Sequence, residues 1–333
     1  MGNLSGEINK IVVFRALQLG DMLCSIPAFR ALRHAYPKAY ITLVGLPWAT
    51  TLLDRFPNYL DAVIKFPGYP GLPEQSADVR AFPTFLNNIH LEQFDLAIQM
   101  QGNGGISNPV VKLFNAKQTA GYYSKGSYCP NSKLFIEYPA TEPEIQRHLK
   151  LMSHLGIEAQ GTDLEFPLSA SEEAELQRVS IPVKRHEYVC IHPGARGLER
   201  RWSPENFAAV GDFCNSKGLV VVITGTKEEL PIVESVAVHM KKQPIIAAGK
   251  TSLGAMGVLI NNSVGLISNC TGVSHMAAAF KTPSVVISLH EDPIEYHRWA
   301  PLNKDLHAFI DWPRTPDLNI ALQETERLIG NRS

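Results

Sequence analysis

The sequence lacks the marks of several large protein classes. It has no apolar run near the ~20 residues that span a bilayer, and its N-terminus lacks the basic and then apolar segments of a secretion signal. No Cys-x-x-Cys pair occurs among its five scattered cysteines, Cys24, Cys129, Cys190, Cys214 and Cys270. We therefore expect a cytoplasmic protein with reduced, mostly buried cysteines and neither a disulfide framework nor a zinc site.

An excess of charge of one sign is also missing. The 31 Lys+Arg residues face 32 Asp+Glu residues, which gives a formal net charge of -1 without a clustered basic face. Because binding to nucleic-acid phosphates needs such a face, we expect no nucleic-acid partner. The sequence has 333 residues, and 45% of them are hydrophobic. This length and apolar content are sufficient for two domains, each with its own core.

Short apolar runs alternate with helix-like stretches along both halves of the chain. They predict strands at residues 11–14, 41–45, 63–66, 95–101, 188–192, 219–224, 245–248, 264–268 and 284–289. Parallel strands need crossovers, usually helical, so the predicted fold class is α/β, with two doubly wound Rossmann-like domains. A Pro- and Ser-rich segment lies between the two sets of strands. It predicts a domain boundary there, with domains at residues 1–166 and 167–333. The helical stretch at 318–329 is expected to cap, or to cross back over, the first domain.

Asp21 is the first candidate for chemistry, because ligands of such sheets bind beyond the carboxyl ends of the strands. It follows the first strand and Gly20. An aspartate there can cap the next helix, or it can accept a proton from a substrate hydroxyl as general base. The two roles are compatible. The glycine- and amide-rich loop at residues 99–107 is either a lining for an acceptor or a plain surface turn.

The loop after the first strand of the second domain has the composition of a diphosphate site. Gly194 and Ala195 leave backbone N–H groups accessible, and Arg200 and Arg201 could hold a diphosphate through charge-assisted hydrogen bonds. Solvated surface charge is the alternative for this arginine pair.

Two further loops of the second domain fit the same ligand. Thr271 and Gly272, followed by Val273, begin an alanine-rich helix whose free N–H groups can bind an anion. His275 lies one turn further on the face of Thr271, where it either touches the ligand or is a core histidine. Glu229 follows another strand and could bind ribose hydroxyls or cap a helix. No Asp-x-Asp pair follows a strand, so we expect no metal.

Taken together, these motifs resemble glycosyltransferase family 9, the lipopolysaccharide heptosyltransferases, over nearly the whole chain. The family commonly has lysine where this chain has Arg200, and aspartate where it has Cys270. The resemblance is carried by Arg15, Gly20, Asp21, Pro27, Leu32, Pro37, His192, Pro193, Gly194, Arg200, Arg201, Trp202, Ser268, Asn269, Thr271, Gly272, His275, Ala277, Thr282 and Pro283.

The resemblance implies a GT-B fold, with two domains facing across a cleft, an acceptor on the first and ADP-activated heptose on the second. It implies inverting transfer with Asp21 as general base and no cofactor besides the nucleotide-sugar substrate. The acceptor would be a lipopolysaccharide-core or other glycan, lipid-linked in some cases, with a peripheral contact at the inner face of the cytoplasmic membrane. Donor contacts are expected from Gly194, Ala195, Arg200, Arg201, Glu229, Thr271, Gly272, Val273 and His275.

Two other functions fit a pair of nucleotide-binding domains. Sugar-nucleotide epimerases use the same fold, and a nucleotide-sugar binding module would need no transfer at all. A nicotinamide oxidoreductase is disfavoured, because neither half begins with a fingerprint glycine triad followed by an acidic residue about twenty positions on.

Overall fold

The computed structural model describes residues 4–289, 298–310 and 317–330. The chain divides into two compact units, Met1–Asp163 and Leu164–Ser333. The division falls close to the boundary predicted between residues 166 and 167.

The first unit is a six-stranded parallel sheet with flanking helices. Its strands are β1 (Lys10–Phe14), β2 (Tyr40–Gly45), β3 (Ala62–Lys65), β4 (Leu96–Gln99), β5 (Gln118–Tyr123) and β6 (Phe135–Glu137). Its helices are α1 (Leu19–Ala35), α2 (Thr51–Arg55), α3 (Phe82–Glu92), α4 (Ser107–Lys112) and α5 (Glu144–His154). The strand order β3-β2-β1-β4-β5-β6 reverses between β1 and β4, so the ends of these two strands mark the expected ligand position.

The second unit repeats this plan, with strand order β12-β11-β10-β7-β8-β9 and parallel pairing throughout. Its strands are β7 (Tyr188–His192), β8 (Val220–Ile223), β9 (Ile245–Ile246), β10 (Leu266–Asn269), β11 (Ser284–Ile287) and β12 (His307–Ile310). Its helices are α6 (Ala170–Arg178), α7 (Pro204–Ser216), α8 (Leu230–His239), α9 (Leu253–Asn262), α10 (Gly272–Phe280) and α11 (Leu318–Gly330). The order reverses between β7 and β10.

Each sheet has its own apolar core. The central strands β1 and β7 read as apolar runs because both of their faces are covered by helices. In the first unit Phe14 packs against Phe66 and Phe114, with ring centroids 4.9 and 5.6 Å apart. In the second, Trp202 meets Phe207 edge-on at 5.2 Å. The strand ends, and the loops that follow them, are thereby held in fixed places.

The final helix, α11, packs within the second unit against α7, β11 and β12. Ala321 is fully buried there, and Leu318 and Leu322 lie on the same core. The structure therefore places this helix on the sheet of the second unit. No helix within residues 4–289, 298–310 and 317–330 has the length and apolar character needed to cross a membrane.

Candidate active site

Asp21 lies in the first turn of α1, directly beyond the end of β1. The N-cap position belongs to Gln18, so the predicted capping position of Asp21 is wrong by three residues. The backbone N–H of Gln18 donates a hydrogen bond to the Asp21 carboxylate. An acidic residue at the third position of a helix can accept such a bond from the N-cap residue. Asp21 as a whole residue is partly exposed.

The surroundings of Asp21 raise its pKa to about 6. Burial is the largest cause, and the charges of Glu144 and Glu74 act in the same direction, whereas Arg15 and the Gln18 hydrogen bond oppose it. A carboxyl group with this pKa is largely ionised at pH 7 and is a stronger proton acceptor than an ordinary aspartate. The position and the proton affinity both suit a general base.

Arg15 fixes the turn that carries Asp21. Its side chain is 1% exposed, and its Nε and Nη2 atoms donate to the main-chain carbonyl oxygen of Asp21 at 3.1 and 2.7 Å. Its Nη1 atom donates to the carbonyl oxygen of Met100, after β4, at 2.6 Å. One buried guanidinium group thus joins the segments that follow β1 and β4.

A buried acidic residue on α5, Glu144, balances the charge of Arg15. Its Oε1 atom accepts from Arg15 Nη2 at 3.0 Å and lies 3.1 Å from His148 Nε2, while Oε2 pairs with Arg147. Burial alone would raise the pKa of Glu144, but His148, Arg15 and Arg147 together hold it well below its usual range. Burial, with help from Arg15, lowers the pKa of His148 to about 4. The sequence analysis missed this cluster, although its i, i+3, i+4 spacing on one helix was visible.

The loop at residues 99–107 is anchored to the same region. Gln101 Oε1 accepts the backbone N–H of Ala16 at 2.7 Å. Gln99 Nε2 donates to the carbonyl oxygen of Gln101 at 3.0 Å, and Ser107 Oγ donates to the same oxygen at 2.6 Å. Gly104 adopts a φ of +92°, and a Cβ atom there would lie 2.3 Å from the Tyr122 carbonyl oxygen. These contacts give the loop a defined conformation at the carboxyl ends of β1 and β4.

In the second unit, Asn269 holds the loop after β7 in place. Its Nδ2 atom donates to the carbonyl oxygens of Pro193 and Gly194 at 2.7 and 3.4 Å, and its Oδ1 atom accepts the Trp202 N–H at 3.0 Å. Asn269 is fully buried at the end of β10. In the sequence, Asn269 stands out only through the family resemblance; the structure shows that it joins both ends of the proposed donor loop.

The adjacent arginines Arg200 and Arg201 donate hydrogen bonds to different loops. Arg200 Nη2 donates to the carbonyl oxygen of Cys270 at 2.8 Å, immediately before Thr271, the N-cap of α10. Arg201 Nε instead donates to the Ala195 carbonyl oxygen at 3.0 Å, within its own loop. A helix N-terminus carries partial positive charge, so Arg200 adds a full positive charge to a site that already favours anions.

Glu229 meets Gly194 at the ends of β7 and β8. A Cβ atom on Gly194 would lie 2.0 Å from Glu229 Oε1, so the carboxylate occupies the space that the glycine leaves. Glu229 Oε2 accepts the Thr226 N–H at 2.8 Å and lies 3.8 Å from Nε2 of His192. Burial lowers the pKa of His192, although the Glu229 charge opposes this. The structure thus brings two of the predicted donor residues together.

The predicted residues on α10 differ in exposure. Thr271 and Gly272 are partly exposed at the start of the helix, whereas Val273 and His275 are buried. The His275 ring lies edge-on to Trp299, with centroids 6.4 Å apart. Ala195 is buried as well, and its carbonyl group meets Arg201. The first residues of the helix are therefore more accessible to a ligand than the His275 side chain is.

Comparisons with known proteins identify the family of the chain. The model of glycosyltransferase family 9 (heptosyltransferase) matches residues 84–324. The chain is 24% identical to lipooligosaccharide heptosyltransferase 2 of Haemophilus ducreyi over 89% of this chain and 86% of that protein. It is 25% identical to lipopolysaccharide heptosyltransferase 3 of Escherichia coli, with 84% and 83% covered.

Two solved structures share the fold. A glycosyl transferase family 9 protein from Veillonella parvula superposes with a TM-score of 0.80 at 19% identity, covering 98% of both chains. The ADP-heptose lipopolysaccharide heptosyltransferase II of Escherichia coli gives a TM-score of 0.75 at 19% identity, covering 97% and 98%. The protein is a glycosyltransferase with a GT-B fold, as predicted. It belongs to glycosyltransferase family 9, and the predicted resemblance is confirmed.

Proposed function

We propose that the protein is an inverting heptosyltransferase that moves a heptose from ADP-heptose to a lipopolysaccharide-core or other glycan acceptor. Family membership and the names of the relatives support the transferred group. The observation that carries the mechanism is Asp21, a residue just beyond the end of β1 whose carboxyl group has its pKa raised to about 6, chiefly by burial. It is the residue type and proton affinity that deprotonation of a sugar hydroxyl requires.

The proposed reaction is a single displacement. The acceptor hydroxyl oxygen attacks the anomeric carbon of the heptose, and Asp21 takes the hydroxyl proton. The bond from that carbon to the diphosphate oxygen breaks, and its electron pair leaves with ADP. Attack opposite the leaving group inverts the anomeric configuration.

The negative charge that grows on the leaving diphosphate needs stabilisation. The proposal assigns this to Arg200 and to the N–H groups of Thr271 and Gly272, because preorganised donors at a helix N-terminus favour developing negative charge. Glu229, next to Gly194, would accept hydrogen bonds from the ribose hydroxyl groups of the donor. The proposal includes no metal ion and no cofactor other than the donor itself.

The site of action follows from the same chemistry. An acceptor built on a lipid would place the reaction at the inner face of the cytoplasmic membrane, and we propose a cytoplasmic enzyme that meets this face peripherally. Apolar and aromatic residues of the first unit, such as the exposed Tyr128, are the candidates for that contact.

The test is product analysis with and without an acceptor. Purified protein is incubated with ADP-heptose and a truncated lipopolysaccharide-core oligosaccharide, and NMR reads the new linkage. We expect a heptosyl product with the anomeric configuration opposite to that of the donor, and an unchanged donor sugar when the acceptor is left out. Retained configuration contradicts the single displacement. Conversion of the donor sugar without acceptor identifies the epimerase instead, and binding of donor without any transfer identifies the binding module.

A further inference from the structure

His192 is a buried histidine at the carboxyl end of β7, and the proposed displacement gives it no role. Its Nδ1 atom lies 3.0 Å from the hydroxyl oxygen of Thr224, the residue that follows β8. Its Nε2 atom lies 3.8 Å from Oε2 of Glu229, the N-cap residue of α8. The imidazole ring is therefore placed between a hydroxyl group of the neighbouring strand end and the carboxylate beside Gly194.

The two neighbours of the His192 ring determine which nitrogen carries the proton. A carboxylate only accepts hydrogen bonds, so an unprotonated Nε2 would turn its lone pair toward Glu229, which is unfavourable. A protonated Nε2 directs its N–H dipole at the carboxylate, and Nδ1 then accepts the hydroxyl hydrogen of Thr224. Thr224 Oγ1 also lies 3.4 Å from the Ile191 carbonyl oxygen, which is the longer of its two contacts. Burial lowers the pKa of His192, although the Glu229 charge opposes this, so the ring is neutral at pH 7.

The Glu229 carboxylate is held from one side. Its Oε2 atom accepts the Thr226 N–H at 2.8 Å and is the oxygen that faces His192. Its Oε1 atom lies on the side of Gly194, where a Cβ atom would come within 2.0 Å of it. The two oxygens thus have different surroundings, and the contacts of Oε2 fix the direction of Oε1.

The influence of His192 on this carboxylate is electrostatic. A distance of 3.8 Å is longer than a hydrogen bond, so the N–H dipole acts on Glu229 through space. The two side chains are only 6% and 14% exposed, and polar interactions are stronger where water is excluded. The dipole therefore favours the orientation in which Glu229 lies against Gly194 over orientations in which this long side chain turns toward solvent.

We propose that His192, held by Thr224, is a positioning residue that orients Glu229 for the two ribose hydroxyl groups of the donor nucleotide. The inference rests on the proposed function, in which Glu229 binds these hydroxyls. Oε1 accepts from the ribose while Oε2 stays with the Thr226 N–H and the His192 dipole. His192 touches neither the donor nor the reacting atoms. Its contribution is that the bound nucleotide does not have to order the carboxylate itself.

The test compares the binding of two nucleotides, ADP and 2′,3′-dideoxy-ADP, which lacks both ribose hydroxyls. Isothermal titration measures both with the wild type, His192→Asn, His192→Gln and Glu229→Gln. An asparagine amide can keep the contact with Thr224 but is too short to reach Glu229, whereas a glutamine amide can place an N–H group near the former Nε2.

His307→Asn is the matched control. His307 is 4% exposed, as His192 is, and its Nδ1 atom lies 2.8 Å from a serine hydroxyl, that of Ser284. The two residues begin β12 and β11 of the same sheet, at the amino ends of the strands and away from the donor loops. A general cost of replacing a buried histidine should therefore be seen in this variant as well.

We expect the wild type to bind ADP about tenfold more tightly than the dideoxy nucleotide, the effect of a hydrogen bond to a charged group. In Glu229→Gln and His192→Asn this ratio should fall to about threefold or less, because ADP binds more weakly and the dideoxy nucleotide does not. His192→Gln and His307→Asn should keep the ratio within about twofold of the wild-type value, since both retain a donor beside Glu229.

Three binding results would each overturn the inference: equal binding of the two nucleotides by the wild type, an unchanged ratio in His192→Asn, or an equal loss of both nucleotides in that variant. The last is the behaviour of a merely structural histidine. A ratio that falls in Glu229→Gln but not in His192→Asn overturns the inference and leaves the ribose contact of the proposed function standing. Failure of heptose transfer would count against the proposed function alone, because no binding outcome depends on it.

A second measurement needs no variant. Nitrogen chemical shifts of the wild-type protein with isotope-labelled histidine, assigned by the signal that His192→Gln lacks, report the protonation of each ring nitrogen. We expect His192 to carry its proton on Nε2 and not on Nδ1. The opposite tautomer would overturn the inference, because no N–H group would then face Glu229.

Discussion

The guanidinium group of Arg15 donates two hydrogen bonds, of 2.7 and 3.1 Å, to the main-chain carbonyl oxygen of Asp21. The contact fixes the backbone of Asp21, a residue in the first turn of α1. Arg15 is in turn neutralised by Glu144, which is itself buried on α5. The proposed base is thus positioned by a charged cluster inside the first unit.

Glu144→Gln should lower the free energy of unfolding by about 3–5 kcal/mol, because Arg15 and Arg147 would lose the carboxylate that neutralises them inside the protein. Urea denaturation at pH 7 measures this. Glu142→Gln is the control, since Glu142 pairs with the mostly exposed Lys150, and its loss should cost no more than about 1 kcal/mol. Similar losses in the two variants would show that the cluster contributes nothing special.

The rate of transfer should depend on pH through Asp21. With a pKa of about 6, the carboxylate becomes protonated on acidification, so kcat/KM should fall about tenfold per pH unit below that value. Glu74→Gln removes a negative neighbour that raises this pKa, so the acid limb should move to lower pH. A pH–rate profile of the two proteins measures both effects. A flat profile between pH 5 and 8, or a limb that moves upward in Glu74→Gln, contradicts the assignment.

The two adjacent arginines should differ in their contribution to nucleotide binding. Arg200 meets the residue before the N-cap of α10, whereas Arg201 bonds to the carbonyl oxygen of Ala195. Arg200→Ala should weaken ADP binding by about 10- to 100-fold, the usual effect of losing a hydrogen bond to a charged group, and Arg201→Ala should have the smaller effect. Isothermal titration with ADP measures both constants. The opposite order would move the phosphate contact to Arg201.

Gly194→Ala should disturb donor binding without unfolding the protein. The new methyl group would clash with the Glu229 carboxylate, which can swing away because it ends a flexible side chain. We expect a loss of stability under about 1 kcal/mol and ADP binding about tenfold weaker, as for Glu229→Ala. The double variant should bind no more weakly than either single one, because both remove the same contact. Additive losses would show that the two residues act independently.

The sequence predicted most of the fold, because central strands covered on both faces are apolar runs. Strands β5, β6 and β12 were not predicted. Gln118–Tyr123 is interrupted by polar and glycine residues, and Phe135–Glu137 and His307–Ile310 are only three and four residues long. The loops that carry Asp21, Arg200, Glu229 and Thr271 were found because they follow recognisable strands.

The partners that position these loops were harder to see. Glu144 is separated from Arg15 by 129 positions, and Asn269 from Pro193 by 76. Local patterns cannot show such pairs, because each residue taken alone looks like an ordinary polar residue of a helix or a strand end. The structure adds these contacts, and with them the reason why the Asp21 turn and the donor loop have their shapes.

The most direct test of the general-base role is the single-turnover rate of heptose transfer by Asp21→Asn with ADP-heptose already bound. Asparagine keeps the size of the side chain and the backbone contact with Arg15 but cannot take the proton. We predict a rate lower by about 100- to 10,000-fold, with the dissociation constant of ADP-heptose changed less than about threefold. Asp54→Asn, at an exposed aspartate on α2, should transfer like the wild type. Transfer by Asp21→Asn at the wild-type rate would contradict the account.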